Sequence, residues 1–219
     1  MCFSASASFG ASVILGTIGV VTLRKTTDRT QVPFAAIPLM FAAQQFSEGM
    51  LWMGLSDPAY ASWQHFPVYI FLIFAQLIWP SWVPFSLLRL ETNPARRKIL
   101  EIFLSMGLSI SCYLLYCLLV YHVSAEIRSG HIHYSLNFPF ALVWITSVIY
   151  FIPTVVSLFV STVKGMSALA IAILISFLVT KVFFDDYLIS VWCFFAAGLS
   201  LMIMWITSMF SRPSESLAG

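Results

Sequence analysis

The residue hardest to place without a function is Glu48, in the stretch Phe41-Ala-Ala-Gln44-Gln45-Phe46-Ser47-Glu48-Gly49, where apolar side chains dominate on either side. On a helix Gln44 and Glu48 share a face, with Gln45 beside them. A carboxylate inside hydrocarbon costs several kcal/mol unless it is paired or hydrated, so such an acid is a functional candidate by default. The alternative is a structural Glu satisfied by a neighbouring helix, through Lys181 or a backbone donor.

A second constellation is His122-Val-Ser-Ala-Glu126-Ile-Arg128-Ser-Gly-His131-Ile-His133-Tyr134, which holds three of the four histidines. His131 and His133 face one side of an extended strand but diverge on a helix. Metal ligation, with Zn²⁺ as the candidate ion, therefore needs a non-helical loop and a third ligand from His122, Glu126 or His65. Interfacial histidines are otherwise solvated or paired with acids. The cysteines, Cys2, Cys112, Cys117 and Cys193, show no CxxC or metal-finger spacing, and the last three lie in apolar segments where a lone Cys packs as a small residue. Cys2 opens the first apolar segment and Cys193 falls about five residues into the last, so both belong toward one leaflet. Their thiols could pack in a shared pocket wall, bridge, or flank a metal.

Several chemistries are excluded. The chain has no Gly-rich phosphate loop, no GxSxG and no HExxH. Its last apolar segment has no lysine for a retinal Schiff base. No histidine follows His133, which removes the late His-x-x-x-His pair of the seven-helix zinc hydrolases that include ceramidases.

The elements that must position these residues are membrane helices. A chain that is 60% hydrophobic and 9% charged, with a mean hydropathy of +0.91, cannot hide its apolar surface inside a soluble globule. Spanning segments of roughly 20 residues fall at about 3–23, 33–55, 66–88, 99–121, 138–160, 166–184 and 188–210. Joined by short loops, they predict an all-α bundle of seven transmembrane helices, a single domain over residues 1–219. Arg24, Lys25, Arg29, Arg89, Arg96, Arg97, Lys98, Lys164 and Arg212 fall on one side, and only Arg128 and Lys181 on the other. Cytoplasmic loops retain Lys and Arg, so nine against two places the N-terminus outside and the C-terminus in the cytoplasm. The histidines, Asp57, Glu126, Asp185 and Asp186 are then outer residues, and Glu48 lies roughly 10 Å below the outer end of its helix. The net charge of +2 reflects topology and contact with anionic lipid, with no nucleic-acid partner.

Local features refine the bundle. The first segment has no basic leader and is expected to remain as a helix. Its close-spaced small residues, Ser4 to Ser8, Gly10, Ala11, Ser12, Gly16 and Gly19, predict an interior position. Pro80, Pro84 and Pro153 each remove a donor and bend a helix or free a carbonyl. Lys181 and Asp185, four apart, predict an ion pair.

The opening Met1-Cys2-Phe3-Ser4-Ala5 resembles the start of a family of uncharacterised, mainly bacterial membrane proteins. The likeness continues in Pro38–Gly49, in Trp79-Pro-Ser-Trp-Val-Pro84 with Glu91, in His131–Tyr134, and in Ser190-Val-Trp192-Cys193-Phe-Phe-Ala-Ala197. It implies the inner (cytoplasmic) membrane of a bacterium, and that the helix-one start, the Gln-Gln-Glu face and the Trp-Cys element form one design. It brings no activity with it. The leading expectation is an outward-facing polar pocket of Cys2, Gln44, Gln45, Glu48, Tyr134, Asp185 and Cys193, extended by His131 and His133, that binds a small solute or metal ion as a transporter or sensor. One alternative is an intramembrane enzyme, zinc-dependent in one form, acting on a lipid-like substrate at the outer interface. A structural or assembly partner is a second alternative.

Overall fold

The computed structural model describes residues 4–139 and 143–210. Cys2 and Arg212 lie outside the described residues. Seven helical rods run in sequence: α1 (Ala5–Arg24), α2 (Ile37–Ser56), α3 (His65–Leu90), α4 (Pro94–Val120), α5 (143–160), α6 (Met166–Phe183) and α7 (Leu188–Gly198 continuing as Ser200–Phe210). Five of these, α1, α3, α4, α6 and α7, are long and apolar enough to cross a membrane. The 20-residue α2 carries Gln44, Gln45, Ser47 and Glu48, and the apolar stretch of α5, Ile145–Val160, is shorter.

Two apolar cores sit one above the other along the bundle. The first gathers Phe34, Phe41, Trp79, Leu87, Leu158, Leu169 and Ile203; the second gathers Leu51, Trp52, Phe71, Leu72, Ile132, Tyr134 and Cys193. On α2 the polar residues between Phe41 and Leu51 are Gln44, Gln45, Ser47 and Glu48, all buried, so a polar layer separates the cores. This explains how α2 tolerates its polar face: it is the central helix, with that face turned to protein.

The prolines act through helix register. In α3 the turn before Pro80, Ile73–Ile78, is wound as a π-helix, and in α5 the segment Ile152–Val156 around Pro153 is too. A π turn leaves carbonyls without their usual helical partners, which other groups must satisfy. Here the Ser111 hydroxyl of α4 donates to the Leu77 carbonyl at 2.6 Å and the Tyr150 hydroxyl of α5 donates to the Ala75 carbonyl at 2.6 Å. The neighbouring α4 backbone comes so close to Pro80 that a Cβ on Gly107 would overlap the Pro80 carbonyl.

Three expectations are corrected. The fold is not all-α: β1 (Val123–Arg128) and β2 (His131–Leu136) pair as an antiparallel hairpin. Ser129 and Gly130 both have positive φ, 47° and 75°, as the two-residue type I′ turn requires. The α1 helix is peripheral, because only a narrow stripe with Ser8, Leu15, Gly19 and Thr22 is buried and the opposite side, with Gly10, Val13, Ile14, Val20 and Val21, is exposed. Along that stripe it does pack closely on α2: Ser12 donates to the Ala42 carbonyl at 2.8 Å, and a Cβ on Gly19 would fall 2.5 Å from the Leu39 side chain. The fifth segment, expected from residue 138, is non-helical at residues 138–139 and helical from residue 143.

At the end opposite the hairpin, α4 starts on an Asn93 cap with Pro94 in the first turn, and the Asn93 side chain accepts from the Ala95 and Arg96 amides. Beside it the buried Glu91 carboxylate accepts from the amides of Thr92, Asn93 and Thr162 and from the Thr162 hydroxyl, at 2.7–3.1 Å. Arg96 donates to the Val160 carbonyl at 2.6 Å. The α3–α4 and α5–α6 connections are thereby tied together.

Candidate functional site

The polar layer is built from α2, α3 and α7. The 3.6-residue period of α2 places Gln44, Gln45 and Glu48 on adjoining parts of its buried face, and all three are fully buried. Glu48 Oε1 accepts from the Ser190 hydroxyl at 2.5 Å, and Oε2 accepts from the Gln45 amide at 3.2 Å. Gln44 Oε1 accepts from the Trp79 indole at 2.9 Å, and its amide nitrogen lies beside the Cys193 thiol. Ser190 and Cys193, three apart at the start of α7, present one face to this layer. Four of the expected residues, Gln44, Gln45, Glu48 and Cys193, are thus brought together, with Ser190 and Trp79 added to them.

Below the layer lies a cavity of about 60 Å³ between α2, α3, α5, α6 and α7. Phe41, Trp79, Tyr150, Thr154, Ile173, Trp192, Cys193 and Ile203 are among its walls. Trp79 and Cys193 belong to both the polar layer and the wall, so the two features are continuous. The layer stands between the cavity and the second apolar core, over which the hairpin is laid.

The other expected residues lie elsewhere. Tyr134 is on the bundle-facing side of the hairpin, its ring stacked on Phe71 with centroids 5.0 Å apart, in the same core as Cys193. Asp185 is paired at the surface with Lys181, at 2.5 Å, as their spacing predicts, and so leaves the pocket set; Lys181 is correspondingly not the partner of Glu48. His131 and His133 do share one face of a strand, opposite Arg128 and Glu126. They nonetheless engage the turn before α7. His131 stacks on Tyr187 at 4.8 Å with its edge to Phe184, and His133 Nδ1 donates to the Asp186 carbonyl at 2.7 Å. Glu126 pairs with Arg128, and His122 is exposed. Among the described residues no three His, Cys, Asp or Glu side chains converge as a metal would require, so the zinc set drawn from His122, Glu126, His131 and His133 is not assembled.

Two titrations are shaped by these surroundings. Burial holds the His131 imidazole below its ordinary value of 6.5. Burial alone would raise the Glu91 carboxyl, but hydrogen bonds from Thr162, Asn93 and Thr92 outweigh it and hold the group below its ordinary 4.5.

Ser190, Trp79 and Glu91 were not singled out as site residues by the sequence. Ser190 carried a usable signal, a hydroxyl three residues before Cys193 on the same helix face. Trp79 has a donor that must find an acceptor when buried. Glu91 precedes the Asn93-Pro94 helix start, where an acid can collect free amides. No curated protein and no solved structure matches the chain. A family model does match it, over residues 1–217, and the chain belongs to that family, DUF6629, a family of unknown function.

Proposed function

We propose that this is a seven-span protein of the bacterial inner membrane, N-terminus outside and C-terminus cytoplasmic, that holds a small molecule inside its bundle and serves as a sensor or transporter. The observation that carries the reading is the continuity between a fully buried polar layer and an interior cavity, joined at Trp79 and Cys193. Protein interiors are close-packed, and a bundle selected for stability alone gains nothing from a buried acid beside unfilled space. The absence of a converging ligand group among the described residues favours an organic molecule over a metal ion.

Seven spans are supported by α2, whose 20 residues rise roughly 30 Å and whose polar groups face protein, and by α5, whose residues 143–160 rise roughly 27 Å. The orientation is supported by the nine basic residues on one side against two on the other. In a cysteine-free background, an impermeant thiol reagent applied outside is expected to label Ser62→Cys and spare Thr92→Cys. The reverse pattern would overturn the orientation.

Native mass spectrometry of the protein released from nanodiscs tests the binding reading. A bound small molecule is expected on the wild type and is lost when Ile173→Trp fills the cavity. A bare wild type, or an adduct untouched by Ile173→Trp, counts against it. The enzyme alternative is favoured by one observation, the Cys193 thiol in the cavity wall beside Gln44. Acylation of Cys193 by an activated lipophilic ester, traced by peptide mapping, would support it over simple binding.

A further inference from the structure

The polar groups in the cavity wall are committed to the protein. The Tyr150 hydroxyl donates to the Ala75 carbonyl at 2.6 Å, Thr154 to the Tyr150 carbonyl at 2.7 Å, Ser86 to the Val83 carbonyl at 2.8 Å, and the Trp79 indole to Gln44. An occupant therefore meets aliphatic and aromatic surface almost everywhere. The exceptions are the Cys193 thiol, a weak donor beside Gln44, and Trp192, which lines the cavity with its indole Nε1 buried and without a hydrogen-bond partner among the described residues. A buried donor left unpaired costs free energy that a ligand acceptor would recover. Size narrows the class further. The space of about 60 Å³ is well under the ~150 Å³ of an apolar cavity that holds benzene, so a chain fits where a ring does not.

We infer that the cavity takes the end of an unbranched aliphatic molecule that carries one uncharged hydrogen-bond acceptor, a ketone, aldehyde or ether oxygen, received by Trp192 Nε1. Such a molecule dissolves in the bilayer and enters from it, which suits a cavity screened from the hairpin end by the Glu48 layer. The inference rests on the binding reading above and names the ligand class for that same site.

The probe is a medium-chain alkyl ketone bearing a terminal diazirine, photolysed with the full-length protein in nanodiscs and mapped by peptide mass spectrometry. Crosslinks are expected on cavity-wall residues such as Ile173, Cys193 and Ile203. The unlabelled ketone should compete about two- to tenfold better than the matching alkane, the span of one neutral hydrogen bond. Trp192→Phe should lower ketone competition to the alkane level, and Ile173→Phe, which fills the space, should suppress crosslinking of both. A matching carboxylate or a sugar competing as well as the ketone would overturn the ligand class and leave the binding reading standing. Crosslinks confined to lipid-facing residues would also overturn it; if the native-mass adduct were absent as well, the binding reading would fall with it. An unchanged ketone preference in Trp192→Phe would remove Trp192 from the proposal.

Discussion

Replacing Glu48 by alanine removes an acceptor that two buried groups share, the Ser190 hydroxyl at 2.5 Å and the Gln45 amide at 3.2 Å. Each buried hydrogen bond to the carboxylate that is lost costs about 1–3 kcal/mol, and the lost side-chain atoms leave a void that neighbours fill only in part. Within membranes the scale is smaller, with interhelical hydrogen bonds averaging about 0.6 and reaching about 1.7 kcal/mol, because the unfolded reference also finds partners. The loss of two buried hydrogen bonds plus a void therefore predicts about 2–4 kcal/mol for Glu48→Ala. Ser190→Ala, which leaves the Gln45 contact in place, should cost about 1–2 kcal/mol. Glu48→Gln keeps the volume and one acceptor, and should cost least, about 1 kcal/mol. The double variant Glu48→Ala/Ser190→Ala should fall short of the sum of its parts, since both changes remove the bond between Ser190 and Glu48. Equilibrium unfolding in bicelles or detergent reads all four. A Glu48→Ala protein within about 0.5 kcal/mol of wild type, the ordinary range for surface changes, would refute the buried layer.

Other elements give independent expectations. Gly107→Ala places a methyl against the Pro80 carbonyl, whose carbon would lie 2.7 Å away, so α3 and α4 must separate; overpacking of this kind costs about 1–3 kcal/mol, and an unchanged melting temperature would refute the close approach. Glu91, with its carboxyl held below 4.5 in the fold, contributes stability that is present above that value and is lost as pH falls through the lowered folded value. Amide exchange at Thr162 should accelerate in that window in wild type, and a Glu91→Gln variant should lose the dependence. His131, held below 6.5 because it is buried neutral, contributes stability that is present above 6.5 and fades as pH falls through its lower folded value. Tyr187 exchange or fluorescence should report the loosened hairpin, and His131→Phe should abolish the transition.

Much of the frame is legible in the residues, and the limits of that reading are physical. Hydropathy and charge bring out the helical rods, and the spacing of Gln44, Gln45 and Glu48 marks the polar face of α2. The pair Lys181–Asp185 and the common strand face of His131 and His133 follow from local periodicity. The partner of Glu48 does not. Ser190 lies 142 residues away, and which donor meets the acid depends on how α7 is rotated against α2, a quantity set by packing of whole helices. Lys181, nearer to expectation, is drawn instead to Asp185 one turn on. The π turn of α3 is likewise hidden: a proline announces a missing donor, but whether the helix kinks or shifts register depends on donors such as Ser111 and Tyr150 on other helices. Small residues in α1 indicate close approach, not the number of sides approached. The hairpin had a local signal in Ser129-Gly130, outweighed by the helical character of everything around it.

A density map of the protein in nanodiscs, at a resolution that separates side chains, tests the central claim most directly. The account predicts Glu48 within hydrogen-bond reach of Ser190 and Gln45, and an elongated density belonging to no side chain in the space bounded by Trp79, Tyr150, Trp192 and Cys193. A Glu48 turned toward lipid, or a cavity closed by its own walls in the native membrane, would contradict it.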